Sequence, residues 1–269
     1  MLEVIEKGSA SESHPVPLLF VHGGEHAAWC WDEHFLGFFA AKEYRAVALS
    51  LRGHGASSNP KRPWACSIAD YVQDVCSIAD HLSQTPVIIG HSLGGFVLQK
   101  YLESHVAAAG VLLASTPPQG AAAALLRTGE VLLRETAQHP WLTAKAIMTG
   151  ESLPGFNKLE RVRVMFFSAH TPESRVARYA ERLQTEQSGR AALDMVFLNL
   201  PKPHRVSTRL LVLGAQCDRS VTPEEVHATA RAYHTQAEIF PNMGHDMMLE
   251  SGWLAVAQRI HTWLCTRGL

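Results

Sequence analysis

The chain has almost no net charge, no closely spaced cysteine pair and no long apolar run, and each absence closes off a class of function. Twenty-four Lys and Arg against 25 Asp and Glu leave a formal charge of −1. No bulk attraction to nucleic acid or to an anionic membrane is therefore expected, and a small, neutral substrate suits the chain better. The five cysteines, Cys30, Cys66, Cys76, Cys217 and Cys265, are odd in number and scattered, with no C-x-x-C spacing for a zinc or redox site. Their plain reading is reduced thiols in a cytosol. No stretch reaches the ~18 apolar residues of a spanning helix. Met1 to Ala10, with Glu3 and Glu6, lacks the apolar run of a secretory signal. The expectation is a soluble, cytoplasmic protein.

What is present is globular. The 269 residues, 46% hydrophobic and 18% charged, are enough to bury one large core without a partner. Short apolar runs bounded by turn residues recur at Pro17–Val21, Arg45–Leu49, Pro86–Ile89, Gly110–Leu113 and Arg209–Leu213, separated by helix-like segments. That alternation predicts an α/β fold, a mainly parallel central sheet with helices on both faces. Ile68, Val72, Val75, Ala79 and Leu82 make one helical stripe, with Ser67 and Asp70 placed to cap its start. Trp253, Val256, Ile260 and Leu264 make another at the end of the chain. From Pro117 to Pro203 the alternation stops and turn signals interrupt a helix-rich stretch. The predicted organisation is a core of residues 1–116 and 204–269 with a helical lid at 117–203.

The sharpest chemical signal is Gly90-His91-Ser92-Leu93-Gly94, a G-x-S-x-G between the apolar Val87-Ile88-Ile89 and the helical Phe96-Val97-Leu98. A serine on a tight strand-to-helix turn is an exposed nucleophile, and Gly90, Gly94 and Gly95 leave room for the close backbone approaches such a turn requires. Serine needs a base, and the base an orienting acid. In this architecture they follow in the order serine, acid, histidine, each in a loop after a strand. Asp218 follows the run ending at Leu213, whereas the rival loop after Leu113, Ala114-Ser115-Thr116-Pro117, has no carboxylate. His245 follows the strand-like Ala237–Phe240 and a glycine turn, and alone among fifteen histidines precedes the last helix in this way. Asp246, its immediate neighbour, is read as local structure or a helix-start charge.

An acyl-transfer site also needs donors for the developing oxyanion. One is expected from the Leu93 N–H and the other from Gly24 in the loop His22-Gly23-Gly24-Glu25. Gly23, His26, Trp29 and His91, in or beside these loops, are candidate substrate-binding residues. So are Trp141, Phe156, Met165 and Phe166 of the lid, although packing inside the lid would also account for them. His22 and His26 lie four apart, but in a glycine loop with no third ligand in view a structural or pocket role is read rather than a metal site.

His22-Gly23-Gly24, Arg52-Gly53-His54-Gly55-Ala56-Ser57, Gly90 to Gly95, Asp218 and Gly244-His245 together resemble the α/β-hydrolase superfamily over essentially the whole chain. His22 to Trp31 is similar to the opening loop of the plant methylesterase and hydroxynitrile-lyase branch. That resemblance implies small esters or cyanohydrins as substrates, but the lyases carry lysine directly after the catalytic histidine, where this chain has Asp246. Dehalogenase and epoxide-hydrolase relatives use an aspartate nucleophile in place of Ser92. The expectation is a serine esterase with no metal or organic cofactor and a small ester as its partner. A thioesterase, lactonase, amidase or carbon–carbon hydrolase would use the same residues, and a ligand-binding receptor with little turnover is the alternative of a different class.

Overall fold

Short buried strands build the centre of this computed structural model, which describes residues 1–127, 158–186 and 188–269. The strands are β1 (Val4–Lys7), β2 (Leu18–Val21), β3 (Ala46–Leu49), β4 (Val87–His91), β5 (Ala109–Leu113), β6 (Leu210–Ala215) and β7 (Ala237–Phe240), in the spatial order β1-β3-β2-β4-β5-β6-β7. All neighbours pair parallel except β1, which runs antiparallel to β3. This is the mainly parallel sheet that the apolar runs predict. The β1 edge strand was not among those runs: three of its four residues are exposed, so it carries no buried pattern.

Every residue of β2 to β6 is buried, as expected of a parallel sheet covered on both faces. The two-residue period sorts the side chains into two layers. Leu18, Phe20, Val87, Ile89, Val111 and Leu213 face one; Leu19, Val21, Ile88, Leu112 and Val212 face the other. The first layer is closed by helices α1 (Trp29–Asp32), α2 (Phe35–Ala40) and, from the end of the chain, Trp253–Cys265, which buries Val256, Ile260 and Leu264. The second is closed by α3 (Ile68–Ala79), α4 (Leu93–Tyr101) and Pro223–Ala232. Each large apolar side chain buried this way contributes about 1.5–3 kcal/mol before entropy is subtracted. The Ser67 hydroxyl accepts from the Asp70 N–H (3.2 Å) while the Asp70 carboxylate accepts from the Ser67 N–H (2.9 Å), the reciprocal cap the sequence suggested for α3.

Between β5 and β6 the described part of the insertion is helical at residues 122–127 and in α5 (Lys158–Phe166), α6 (Glu173–Arg182) and α7 (Gly189–Leu193). Val162, Phe166, Phe167, Val176 and Tyr179 belong to the same apolar cluster as Phe20, Trp31 and Phe35. The inner faces of α5 and α6 thus extend the main core instead of making a separate one. Trp141 and Phe156 lie outside the described residues.

Candidate active site

The functional loops all leave the sheet at its carboxyl edge. Directly after β4, Ser92 adopts φ +50° and ψ −115°, outside the regions a non-glycine residue prefers, and α4 begins at Leu93. The turn survives because its surroundings admit no side chain at two points. A Cβ on Gly90 would overlap the Gly94 carbonyl, and one on Gly94 would overlap the Val21 and His22 carbonyls at the end of β2. Backbone bonds then fix the serine: its N–H donates to Leu113 O (3.2 Å) and its carbonyl accepts from Phe96 N–H (3.1 Å) and Thr116 N–H (3.2 Å). As the first residue of α4, Leu93 has an N–H in the turn whose donors lack helical partners.

Beyond β6 and β7 the loops bring Asp218 and His245 together. His245 Nδ1 lies 2.7 Å from Asp218 Oδ2, and both side chains are buried. The other carboxylate oxygen, Oδ1, accepts from the Ser220 N–H (2.7 Å) and the Val221 N–H (2.9 Å). One carboxylate oxygen is thus taken up by backbone donors, and the other meets the His245 ring. Burial lowers the His245 pKa, but Asp218, by charge and by hydrogen bond, outweighs it, so the net shift is above the ordinary histidine value. The His245 carbonyl accepts from His91 Nε2 (3.0 Å), fixing the loop from beneath.

The loop after β2 is ordered by its histidines. The Leu51 N–H donates to His22 Nε2 (3.0 Å), so the ring hydrogen resides on Nδ1 and is donated to Gly23 O (2.7 Å). That bond sets the plane of the Gly23–Gly24 peptide, whose N–H points opposite its carbonyl. Burial, reinforced by nearby His54, holds His22 well below the usual pKa and keeps it neutral. A Cβ on Gly23 would come within 2.7 Å of His91 Nδ1 and 3.0 Å of Ser92 Cβ, so only glycine lets this loop approach the serine so closely. The next residue, Glu25, has φ +63° and is clamped from the insertion: its carboxylate takes a bidentate ion pair from Arg161 of α5 (2.8 Å to each oxygen), and its carbonyl accepts from Gln184 N–H (2.9 Å).

A cavity of about 210 Å³ opens among these loops. Ser92 and His245 line it with Gly24 and Glu25 from the β2 loop, and Met165 and Phe166 of α5 close one side. Thr116, Ser220, Glu186 and Glu225 complete polar parts of its wall beside Val221; none of these was singled out in the sequence, and only for Thr116, Ser220 and Val221 could a position after a strand end have suggested them. Gly23, His26, Trp29 and His91, candidates for substrate contact, do not line it. Gly23 turns its Cα toward His91, while Trp29 stacks between His26 and Tyr179 within the core. His91 lies beneath the base and His26 is fully buried. Asp246 needs the largest correction. It is no helix-start charge, because the last helix begins at Trp253; its carboxylate is fully buried and pairs with His26 Nε2 at 2.9 Å. Glu250, likewise unforeseen, is buried and accepts from the N–H groups of Gly244 (2.7 Å) and Ser168, tying the His245 loop to the insertion.

A sheet of this order with a serine elbow after its central strand and a buried His–Asp pair in the later loops defines a class of fold, the α/β-hydrolases. The Alpha/beta hydrolase family model matches residues 18–259, and the chain belongs to that family. Among curated relatives it is 35% identical over 107 residues to a non-heme chloroperoxidase of Streptomyces lividans, a stretch covering 38% of each chain. It is 32% identical over 123 residues to a bifunctional esterase/perhydrolase of Acinetobacter calcoaceticus, covering 44% of this chain and 42% of the relative. The matches thus span about two fifths of these relatives' length. Among solved structures, a thermophilic esterase from Thermogutta terrifontis superposes with a TM-score of 0.73 at 22% identity, covering 100% of this chain and 94% of that one. The enol-lactonase of Burkholderia xenovorans gives 0.72 at 17% identity, over 98% and 96%. Both show likeness of fold.

Proposed function

We propose that the protein is a serine hydrolase that cleaves small carboxylic esters through an acyl-enzyme. The observation that carries this reading is the buried His245–Asp218 pair, 2.7 Å apart, with His245 and Ser92 lining one cavity. In this reading the Ser92 hydroxyl attacks the ester carbonyl while His245 Nε2 takes its proton. The Nδ1–H stays bonded to Asp218, which stabilises the imidazolium. The Leu93 and Gly24 N–H groups hold the oxyanion, His245 returns the proton to the leaving alcohol, and water then releases the acid by the same steps in reverse. The insertion at 117–203 acts as a lid, with Met165 and Phe166 offering apolar contact to the acyl or alcohol group.

The name of the Acinetobacter relative supports a second use of the same acyl-enzyme, in which hydrogen peroxide replaces water and a peracid is released. The test of the main reading is hydrolysis of a chromogenic short-chain ester by the wild type and by Ser92→Ala, with a phosphonate probe reporting which serine is labelled. Turnover that survives the substitution, or label on another serine, refutes it. A protein that binds such esters without turnover supports a receptor instead.

A further inference from the structure

His26 and Asp246 are separated by 220 residues in sequence and have no solvent exposure in either side chain. Both His26 ring nitrogens face acceptors. Nε2 meets Asp246 Oδ2 at 2.9 Å, and Nδ1 meets the Gly24 carbonyl at 2.7 Å. Beside an ionised Asp246, a neutral imidazole has one N–H and leaves one of these contacts as lone pair against lone pair, whereas an imidazolium satisfies both. We propose that His26 and Asp246 form a buried imidazolium–carboxylate pair that locks the Gly24 oxyanion loop to the loop carrying His245. Both are then positioning residues for the reaction at Ser92. The inference rests on the serine-hydrolase reading for its catalytic consequence but not for the ion pair itself.

The surroundings fit this role. The Asp246 N–H donates to Phe166 O (2.9 Å) at the end of α5, so the carboxylate is set where three segments meet. Its second oxygen, Oδ1, has no hydrogen-bond partner among the described residues and lies 3.8 Å from His91 Nε2, which is committed to the His245 carbonyl. Among the described residues His26 is thus the sole hydrogen-bond partner of a fully buried carboxylate group. Burial lowers the His26 pKa, yet Asp246, through charge and hydrogen bond, raises it overall, with lesser help from the Gly24 carbonyl and Glu25. The groups facing His245 are Asp218, Asp246, His26 and His91; Asp246 raises its pKa and His26 lowers it. The paired charges therefore oppose each other at the base.

Nitrogen-15 NMR of the histidine rings, recorded on the wild type and on Ser92→Ala, should find both His26 nitrogens protonated at pH 7. A neutral His26 overturns the inference whatever becomes of Ser92. In ester hydrolysis, H26Q and D246N should each lower kcat about tenfold to a hundredfold with KM little changed, the scale expected when reacting groups are misplaced by a fraction of an ångström. The acid limb of kcat/KM should move to higher pH in H26Q, where the Asp246 charge is left alone, and to lower pH in D246N. The double variant H26Q/D246N should be less impaired than H26Q and have its limb near the wild-type position. Single and double variants with equal losses and an unmoved limb refute the positioning role. If phosphonate fails to label Ser92 in the wild type, the hydrolase reading falls, and the ring protonation still decides the ion pair.

Discussion

In Asp218→Asn the structure determines which way the new amide must turn. Asp218 Oδ1 accepts from two backbone N–H groups, those of Ser220 (2.7 Å) and Val221 (2.9 Å), while Oδ2 meets His245 Nδ1 (2.7 Å). The asparagine oxygen has to stay with the two donors, because an NH₂ placed there leaves both unsatisfied at about 1–3 kcal/mol each. The NH₂ then faces His245 and requires Nδ1 to act as acceptor. The ring hydrogen moves to Nε2, the atom that has to accept the serine proton, and the base is lost without any change in backbone geometry. A wrong tautomer of this kind lowers kcat about 10⁴-fold, or about 5.5 kcal/mol at 1.36 kcal/mol per tenfold. KM should hardly change, since Asp218 does not line the cavity. The assay is steady-state hydrolysis of a chromogenic ester, with the melting temperature showing that the variant is folded. A loss of less than about tenfold would mean that another group orients His245, and the tautomer argument would fail.

Ser92→Ala should remove nearly all turnover at unchanged melting temperature, leaving a residual of roughly a thousandfold over water from the oxyanion donors and binding; ester hydrolysis near the wild-type rate refutes Ser92 as nucleophile. The pKa of His245 is raised in the folded protein, burial being outweighed by Asp218, and only its neutral form accepts a proton. Activity should therefore fall as pH falls, with the kcat/KM midpoint of the free enzyme above 6.5, and a profile flat from pH 5 to 8 contradicts this base. Met165→Ala should change the ranking of kcat/KM among esters of graded size while phosphonate labelling of Ser92 persists. If the ranking is unchanged and only the melting temperature drops, α5 does not set specificity.

The strands were legible because a parallel sheet buries both faces and leaves near-continuous apolar runs; each predicted run overlaps an observed strand, with ends no more than two residues apart. The β1 strand was not legible, since an exposed antiparallel edge owes its position to backbone pairing with β3 and Val4-Ile5-Glu6-Lys7 shows no buried pattern. Ser92, Asp218 and His245 could be proposed from the sequence because strand–loop order limits where a nucleophile, an acid and a base can fall, and the structure brings Asp218 and His245 together. His26 and Trp29, expected beside the substrate, do not line the cavity for a different reason. Proximity in sequence to a functional loop says nothing of which way a side chain turns, and both turn inward, against each other at 5.8 Å between rings.

Long-range contacts account both for the place of Asp246 and for the union of α5 and α6 with the core. A charge beside a glycine turn looks like a solvated cap until its long-range partner is known, and here the partner lies near the start of the chain. The insertion has its own anchors into that network. Arg161 holds the Glu25 carboxylate beside Gly24, Phe166 offers its carbonyl to Asp246 and packs its ring edge-on to His26 at 5.3 Å, and Ser168 and Thr171 donate to Glu250 below Gly244. With Val162 and Phe166 also in the main core, displacing α5 exposes apolar surface and releases the loops after β2 and around His245 together. A movement of α5 would therefore disturb both loops at once. α5, which carries Arg161 and Phe166, is thereby held at the site as one of its walls.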